Sequence, residues 1–453
     1  MKFRQTLPAV ERAAHFAKQY LERLPERRVF PDAAALKGLA EFEEPLPESP
    51  TDPLNVIDML HTYGSPATVA TAGPRYFGFV TGGALPAALG ANVLAAAWDQ
   101  SAFSHTASPV AAKLEEIALG WLLELLHLPR GCAGAFVTGT TMAHVTALAA
   151  ARSKVLADVG YDVDDRGLVG APPITVVVGE EAHATLFKAL AIIGLGRKQV
   201  ISVPVDLQGR MRPVGFPTLD GPTIVCIQAG NVNSGAFDPA EEICEIAHDA
   251  GAWVHADGAF GLWALAAPGR RRLAAGYHKC DSWALDAHKW LNVPYDSGLA
   301  LVRHVQALKN AMRIGAAYLL DSDQREPFHF TPESSRRARG VEIWAALKSL
   351  GRDGVADLVE RCCEYAALFA GGLKDAGFEV LNDVVLNQVV VSFGSEEKTA
   401  RVIRAIEEDG AFWAGGTNWQ GRAALRISVS SWATERSDIK RSLEALARIA
   451  KAD

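Results

Sequence analysis

Ser282-Trp283-Ala284-Leu285-Asp286-Ala287-His288-Lys289-Trp290-Leu291 is the stretch on which the reading of this chain turns. Its first half is an apolar run of strand length, and it ends in a turn that displays a histidine and a lysine side by side. A lysine at the end of a buried strand is poorly hydrated, so its ammonium form is disfavoured and its amine becomes a usable nucleophile. Such an amine can hold an aldehyde as a Schiff base. The dipeptide alone proves little, because His278-Lys279 stands ten residues earlier in a polar stretch. Position separates the two: Lys289 has apolar flanks and a strand led by Gly298 just after it.

Outward from this stretch, the chain alternates helices with short apolar strands from about residue 110. Candidate strands are Ile174–Val178, Thr223–Gln228, Trp253–Asp257, Ser282–Asp286 and Leu299–Arg303. A helix over Pro239–Ala250 starts on proline and stops at Gly251. Strand–helix–strand order with β-branched runs predicts an α/β fold whose mostly parallel central sheet is covered on both faces. The short link from the Ser282 strand to the Leu299 strand makes one antiparallel strand plausible. After about residue 345 the order changes. Val389, Val391 and Phe393 alternate in one strand and Leu425, Ile427 and Val429 in another, accompanied by helices over Lys398–Glu408 and Asp438–Ala450. The expected division is therefore an N-terminal helical arm (1–72), a large domain (73–345) and a small C-terminal α+β domain (346–453). In the arm, Val10, Ala13, Ala14, Ala17, Leu21 and Leu24 recur at helical spacing, a face suited to packing on a partner subunit.

Further features share the chemistry suggested by Lys289. Asp257 closes the strand Trp253–Asp257, and ligands in open α/β sheets gather at the carboxyl ends of strands. A carboxylate there can keep a pyridine nitrogen protonated; alone, it would read equally as the cap of a turn. His255 points the same way along the strand, either as a supporting hydrogen-bond partner of the acid or as a core histidine. Thr138-Gly139-Thr140-Thr141 opens a helix, and small hydroxylated residues at a helix N-terminus suit a phosphate as well as an ordinary cap. His183, just after a strand, could stack on a flat ring or be a surface residue. Asn231-Val232-Asn233-Ser234-Gly235 could reach a ring substituent or simply form a turn. An amine for an aldehyde, an acid for a pyridine and a loop for a phosphate together point to pyridoxal 5'-phosphate.

Bulk properties narrow the alternatives. A length of 453 residues exceeds one ordinary core, so two structural units are expected. With 49% hydrophobic and 21% charged residues and a net charge of -7, the chain makes no electrostatic case for nucleic acid or an anionic membrane. No apolar run reaches membrane-spanning length, and the N-terminus lacks the apolar core of a secretory signal. Six cysteines show neither Cys-x-x-Cys spacing nor a zinc-ligand grouping, so no metal is expected and a reducing cytoplasm is the simplest location.

Taken together, these residues resemble the group II pyridoxal-phosphate-dependent amino-acid decarboxylases, which include aromatic amino acid and glutamate decarboxylases. The resemblance runs from about Pro74 to Trp432. It rests mainly on Asp286-Ala287-His288-Lys289-Trp290, His255-Ala256-Asp257-Gly258-Ala259 and Ser335-Arg336-Arg337, with support from Pro74-Arg75-Tyr76-Phe77-Gly78, Ala107-Ser108-Pro109 and Leu425-Arg426. It implies the fold type I, aspartate aminotransferase-like architecture and a homodimer with active sites at the subunit interface. It also implies that Lys289 holds the cofactor as a Schiff base and that Asp257 pairs with the pyridine nitrogen. His183 would stack on one ring face and Ala259 lie against the other. Gly139, Thr140 and Thr141 would hold the phosphate with His288, and Asn231 and Asp286 complete the expected cofactor set. Tyr318 falls where the family carries the tyrosine of a mobile loop that returns a proton to the substrate carbon, so Lys289, His183 and Tyr318 are the expected catalytic residues. Phe79 and Phe103 would line the substrate side, favouring an aromatic or apolar side chain. The chain departs from the family pattern in having Asp286-Ala287 where many relatives have Asn-Pro, and Asn231-Val232 in place of a threonine pair.

The implied reaction is decarboxylation of an L-amino acid to its amine. An aminotransferase or carbon–carbon lyase would use the same cofactor site, and a cofactor-binding protein without turnover is a third reading. Only a decarboxylase releases carbon dioxide with a primary amine and no keto acid.

Overall fold

Six of the strands in the central sheet contribute their carboxyl ends to one edge, and the topology explains why. The structure, a computed structural model, describes residues 5–314 and 325–452. It divides into two compact units, one of residues 82–367 with 382–389 and one of the described residues in 1–81, 368–381 and 390–453. The boundary expected at 345 lies inside the helix Gly340–Asp375, and the N-terminal segment belongs to the same unit as most of the C-terminal residues.

The larger unit holds seven strands: β1 (Ala133–Val137), β2 (Thr175–Gly179), β3 (Ile201–Val203), β4 (Thr223–Gln228), β5 (Trp253–Asp257), β6 (Ser282–Asp286) and β7 (Gly298–Val302). Their order is β1-β7-β6-β5-β4-β2-β3. β3, β2, β4, β5 and β6 pair in parallel, whereas β7 runs antiparallel to both β6 and β1. The antiparallel strand is the one expected from the short link after Lys289. Two reversals return β1 to the direction of the parallel set, so Val137, Gly179, Val203, Gln228, Asp257 and Asp286 all end at the same edge. β1 and β3 carried too weak an alternation to be read from sequence.

Every residue of β1, β4, β5, β6 and β7 is buried, as expected of strands covered on both faces. One cover is the helix Thr140–Ala157, whose Ala143, Ala147, Ala150 and Ala151 are all fully buried. Alanine at these positions lets the helix approach the sheet closely, while Leu148 contributes the burial of a large aliphatic side chain, about 1.5–3 kcal/mol. Ion pairing supplements the packing: Arg336 grips Glu115 through two hydrogen bonds of 2.6 and 2.8 Å, both side chains being nearly fully buried.

A second sheet holds β8 (Glu379–Val380), β9 (Gln388–Ser392), β10 (Gly415–Trp419) and β11 (Arg422–Ser428), in the order β10-β11-β9-β8, and all but the first two residues of β9 belong to the smaller unit. The helices Glu396–Asp409 and Arg436–Ala452 accompany them, each extending one to two residues beyond the stretch its sequence periodicity marked. Its N-terminal helix, Thr6–Arg23, has no buried residue.

Candidate active site

The sheet register brings the acid and the lysine together. Asp257 ends β5 opposite Ala284 of β6, and Lys289 follows three residues after the end of β6 at Asp286. Asp257 is buried, and its Oδ1 accepts a hydrogen bond from the Ala259 amide at 3.1 Å. Burial by itself would raise its pKa, but its interactions with His144, His183 and Lys289 outweigh that and hold the carboxyl well below the usual carboxylate range. Lys289 is half-buried, and its Nζ stands 5.8 Å from the centroid of the Phe260 ring.

Gly139, Thr140 and Thr141 lie at the N-terminus of the helix Thr140–Ala157, immediately after β1. The approach is close: a Cβ added at Gly298, the first residue of β7, would meet the carbonyl carbon of Gly139 at 2.4 Å. Only glycine lets this loop cross the start of β7. The helix N-terminus is already partly engaged by Asp286, whose Oδ2 accepts from the Thr140 amide at 3.1 Å and the Thr140 hydroxyl at 2.9 Å. Its Oδ1 stands 2.6 Å from His288 Nδ1, so the two expected cofactor residues are in contact with each other. Thr141, at the second helical position, retains an amide that no intrahelical carbonyl can take.

His183 caps the helix Ala184–Ile192, with Nδ1 accepting from the Thr185 amide at 3.3 Å and lying 2.7 Å from the Thr185 hydroxyl. A bonded Nδ1 acceptor places the ring proton on Nε2 and fixes the plane of the ring.

Asn231 is held within its own loop region. Its Nδ2 donates to Glu181 Oε2 at 3.0 Å, and its Oδ1 accepts from the amides of Asn233 and Ser234 at 2.8 and 3.2 Å. The side chain therefore stabilises the turn after β4, one of the two readings that its sequence allowed. Of the two expected substrate-side phenylalanines, Phe79 belongs to the smaller unit, where it is exposed and packs on Trp413 at 5.1 Å. Phe103 belongs to the larger unit and stacks on Phe328 at 5.1 Å. Tyr318 lies outside the described residues.

One residue escaped the sequence reading altogether. His144 is fully buried, with its Nε2 3.5 Å from Asp257 Oδ2 and its Nδ1 2.9 Å from His255 Nε2. The signal was present: His144 lies four residues after Thr140, on the same face of a helix whose N-terminus had been assigned to the site.

The pyridoxal-dependent decarboxylase conserved domain matches residues 37–394. The chain belongs to this family. Aromatic-L-amino-acid decarboxylase of Bacillus atrophaeus is 26% identical over 369 residues, covering 78% of this chain and 74% of that protein. Acidic amino acid decarboxylase of Mus musculus is 28% identical over 361 residues, covering 76% of this chain and 64% of that one. Among solved structures, the Oryza sativa TDC crystallised with PLP and tryptamine superposes with a TM-score of 0.90 at 22% identity, covering 100% of this chain and 99% of that one. The fold is thus that of the fold type I enzymes, and the chain is a pyridoxal-phosphate-dependent carboxy-lyase that decarboxylates an amino acid. Its residues suit the cofactor chemically: a buried carboxylate held ionised, a lysine just beyond the end of the adjacent strand and a helix N-terminus share one sheet edge. Among the described residues, no helix is long and apolar enough to cross a membrane.

Proposed function

We propose that Lys289, Asp257 and the N-terminus of the helix Thr140–Ala157 hold pyridoxal phosphate, and that the site decarboxylates an L-amino acid with an aromatic or apolar side chain. The observation that carries the site is the register of β5 and β6, which sets the buried Asp257 opposite Ala284 and brings Lys289 just beyond the same sheet edge. When bound, the cofactor supplies a cationic ring that accepts the electron pair left as carbon dioxide departs. Asp257 keeps the ring nitrogen positive by remaining ionised beside it. Lys289 would hold the aldehyde through its side-chain amine, which the strand-end position leaves usable as a nucleophile. His183, its plane set by Thr185, would lie against one face of the ring and Ala259 against the other. Gly139, Thr141 and His288 bind the phosphate, while Asp286 orients the Thr140 hydroxyl and the His288 ring. Tyr318 returns a proton to the substrate carbon.

The preference for an aromatic or apolar side chain rests on Phe79 and Phe103. A homodimer is supported by apolar side chains left uncovered on two helices. Leu7, Val10 and Leu21 are exposed on Thr6–Arg23, and Val93, Leu94 and Trp98 on Pro86–Trp98. Six unpaired cysteines suit a reducing cytoplasm.

The deciding experiment reduces the loaded protein with borohydride and maps the pyridoxyl label, which is expected on Lys289. A label on another residue would overturn the site. Incubation with a panel of amino acids, following carbon dioxide, amine and keto acid, is expected to give an amine without keto acid from an aromatic or apolar substrate. Turnover confined to acidic amino acids would refute the proposed specificity.

A further inference from the structure

Behind Asp257, four buried groups form a hydrogen-bonded chain whose last atom, His144 Nε2, makes no hydrogen bond among the described residues and faces the carboxylate. Trp253 Nε1 donates to Ser282 Oγ at 2.9 Å, and Ser282 Oγ lies 2.8 Å from His255 Nδ1. His255 Nε2 lies 2.9 Å from His144 Nδ1, and His144 Nε2 faces Asp257 Oδ2 at 3.5 Å. Ser282, His255 and His144 are all fully buried, so no bulk water corrects a misplaced proton.

The direction of the chain follows from its first link. An indole N–H can only donate, so Ser282 Oγ accepts from Trp253. The serine hydroxyl has no other partner among the described residues than His255 Nδ1. If His255 Nδ1 carried a proton, the serine hydroxyl hydrogen would be left unbonded in a sealed interior. Ser282 therefore donates and His255 Nδ1 accepts. His255, whose pKa burial pushes well below the ordinary imidazole value, is neutral and carries its proton on Nε2. That proton is given to His144 Nδ1. A neutral His144 must then carry its own proton on Nε2, the atom aimed at Asp257. The reverse polarity would present a bare imidazole lone pair to a carboxylate.

We infer that His144 is a positioning residue for the cofactor: locked by Ser282 and His255 into its Nε2–H form, it presents a neutral donor to Asp257 and stabilises the carboxylate's charge without competing as a cation. The inference rests on the reading of Asp257 as the partner of the ring nitrogen. A neutral donor matters because a histidinium at this distance would itself satisfy the carboxylate and weaken its pull on the ring nitrogen's proton. The 3.5 Å separation leaves Asp257 Oδ2 only loosely held, free to bond more strongly to a cationic ring.

Two measurements test this on the full chain. In protein without cofactor, side-chain NMR of 15N-histidine, assigned with His144→Asn and His255→Asn, is expected to show both rings as neutral Nε2–H tautomers. A proton on Nδ1 of His144, or a doubly protonated ring at neutral pH, would overturn the relay whatever the cofactor does. In the loaded enzyme, His144→Leu removes the donor and is expected to weaken pyridoxal phosphate binding about tenfold or more and to shift the visible absorbance band. His144→Asn, which keeps an N–H, is expected to stay within about threefold of the parent protein. Equal losses in both variants would mark a purely structural role and refute the proposal, as would an unchanged His144→Leu. Asp257→Ala separates the two readings. If it binds the cofactor normally, the pairing of Asp257 with the ring fails, and the inference fails with it even if the tautomers are as expected.

Discussion

Gly298→Ala provides a stringent test of how the cofactor loop is built. The added Cβ would lie 2.4 Å from the carbonyl carbon of Gly139, 2.5 Å from its Cα and 2.6 Å from its amide nitrogen. Carbon atoms need about 3.5 Å, so one of the two backbones must retreat by about 1 Å. β7 is held on both sides by β1 and β6, which leaves the loop at Gly139 as the part that moves. Thr140 and Thr141 would move with it, away from a phosphate. A hydrogen bond to a charged group contributes about 1.5–3 kcal/mol, so losing one corresponds to a fall in affinity of between about ten- and about a hundred-fold. The assay titrates the apoenzyme with pyridoxal phosphate and follows absorbance, with circular dichroism to show that the variant is folded. Gly120→Ala is the matched control. Gly120 sits inside the helix Pro109–Leu125 with nothing within 4 Å of an added Cβ. Alanine there should stabilise the helix by about 0.5–1 kcal/mol and leave affinity unchanged. A folded Gly298→Ala protein with parental affinity, or an equal loss in Gly120→Ala, would refute the reasoning.

Two other perturbations address stability. Arg336→Met leaves the buried Glu115 carboxylate without its bidentate partner and should cost about 3–5 kcal/mol, read as a lower denaturant midpoint; the double variant Arg336→Met/Glu115→Leu should recover part of it. The Asp281 cluster should give stability a pH window. Asp281 bonds His248 at 3.0 Å and His304 at 3.1 Å; burial raises its pKa, but these bonds outweigh burial and bring it from 3.8 down to about 2. Its contribution is present above 3.8 and is lost as pH falls through about 2. His248 is raised above 6.5, chiefly by its hydrogen bond to Asp281, so its contribution is full below 6.5 and is lost as pH rises through the raised value. Thermal midpoints across pH should decline on the alkaline side, and His248→Asn should flatten that decline. An unchanged slope in the variant would refute the assignment.

Much of the site was legible because its parts are local. β5 and β6 have the bounds their apolar runs suggested, and Asp257 and Lys289 were marked by standing at or just beyond strand ends. Glycine, proline and hydroxylated residues punctuate the chain by local backbone physics, so they place the turns that carry function. Asn231 shows the limit: its two readings, turn and ring contact, require the same residue type in the same place, and only the fold brings its side chain to Glu181.

The amino-acid order by itself determined the class of fold, the strand-end acid and lysine, and hence the cofactor, because each follows from periodicity and chemistry within a few residues. Tertiary structure decided what depends on residues far apart in the chain. It placed Asp286 on the Thr140 donors, passed Gly139 across Gly298, and aligned Trp253, Ser282, His255 and His144 behind Asp257. Those contacts depend on the strand order and on the packing of one helix against the sheet, and neither leaves a periodic trace in the sequence.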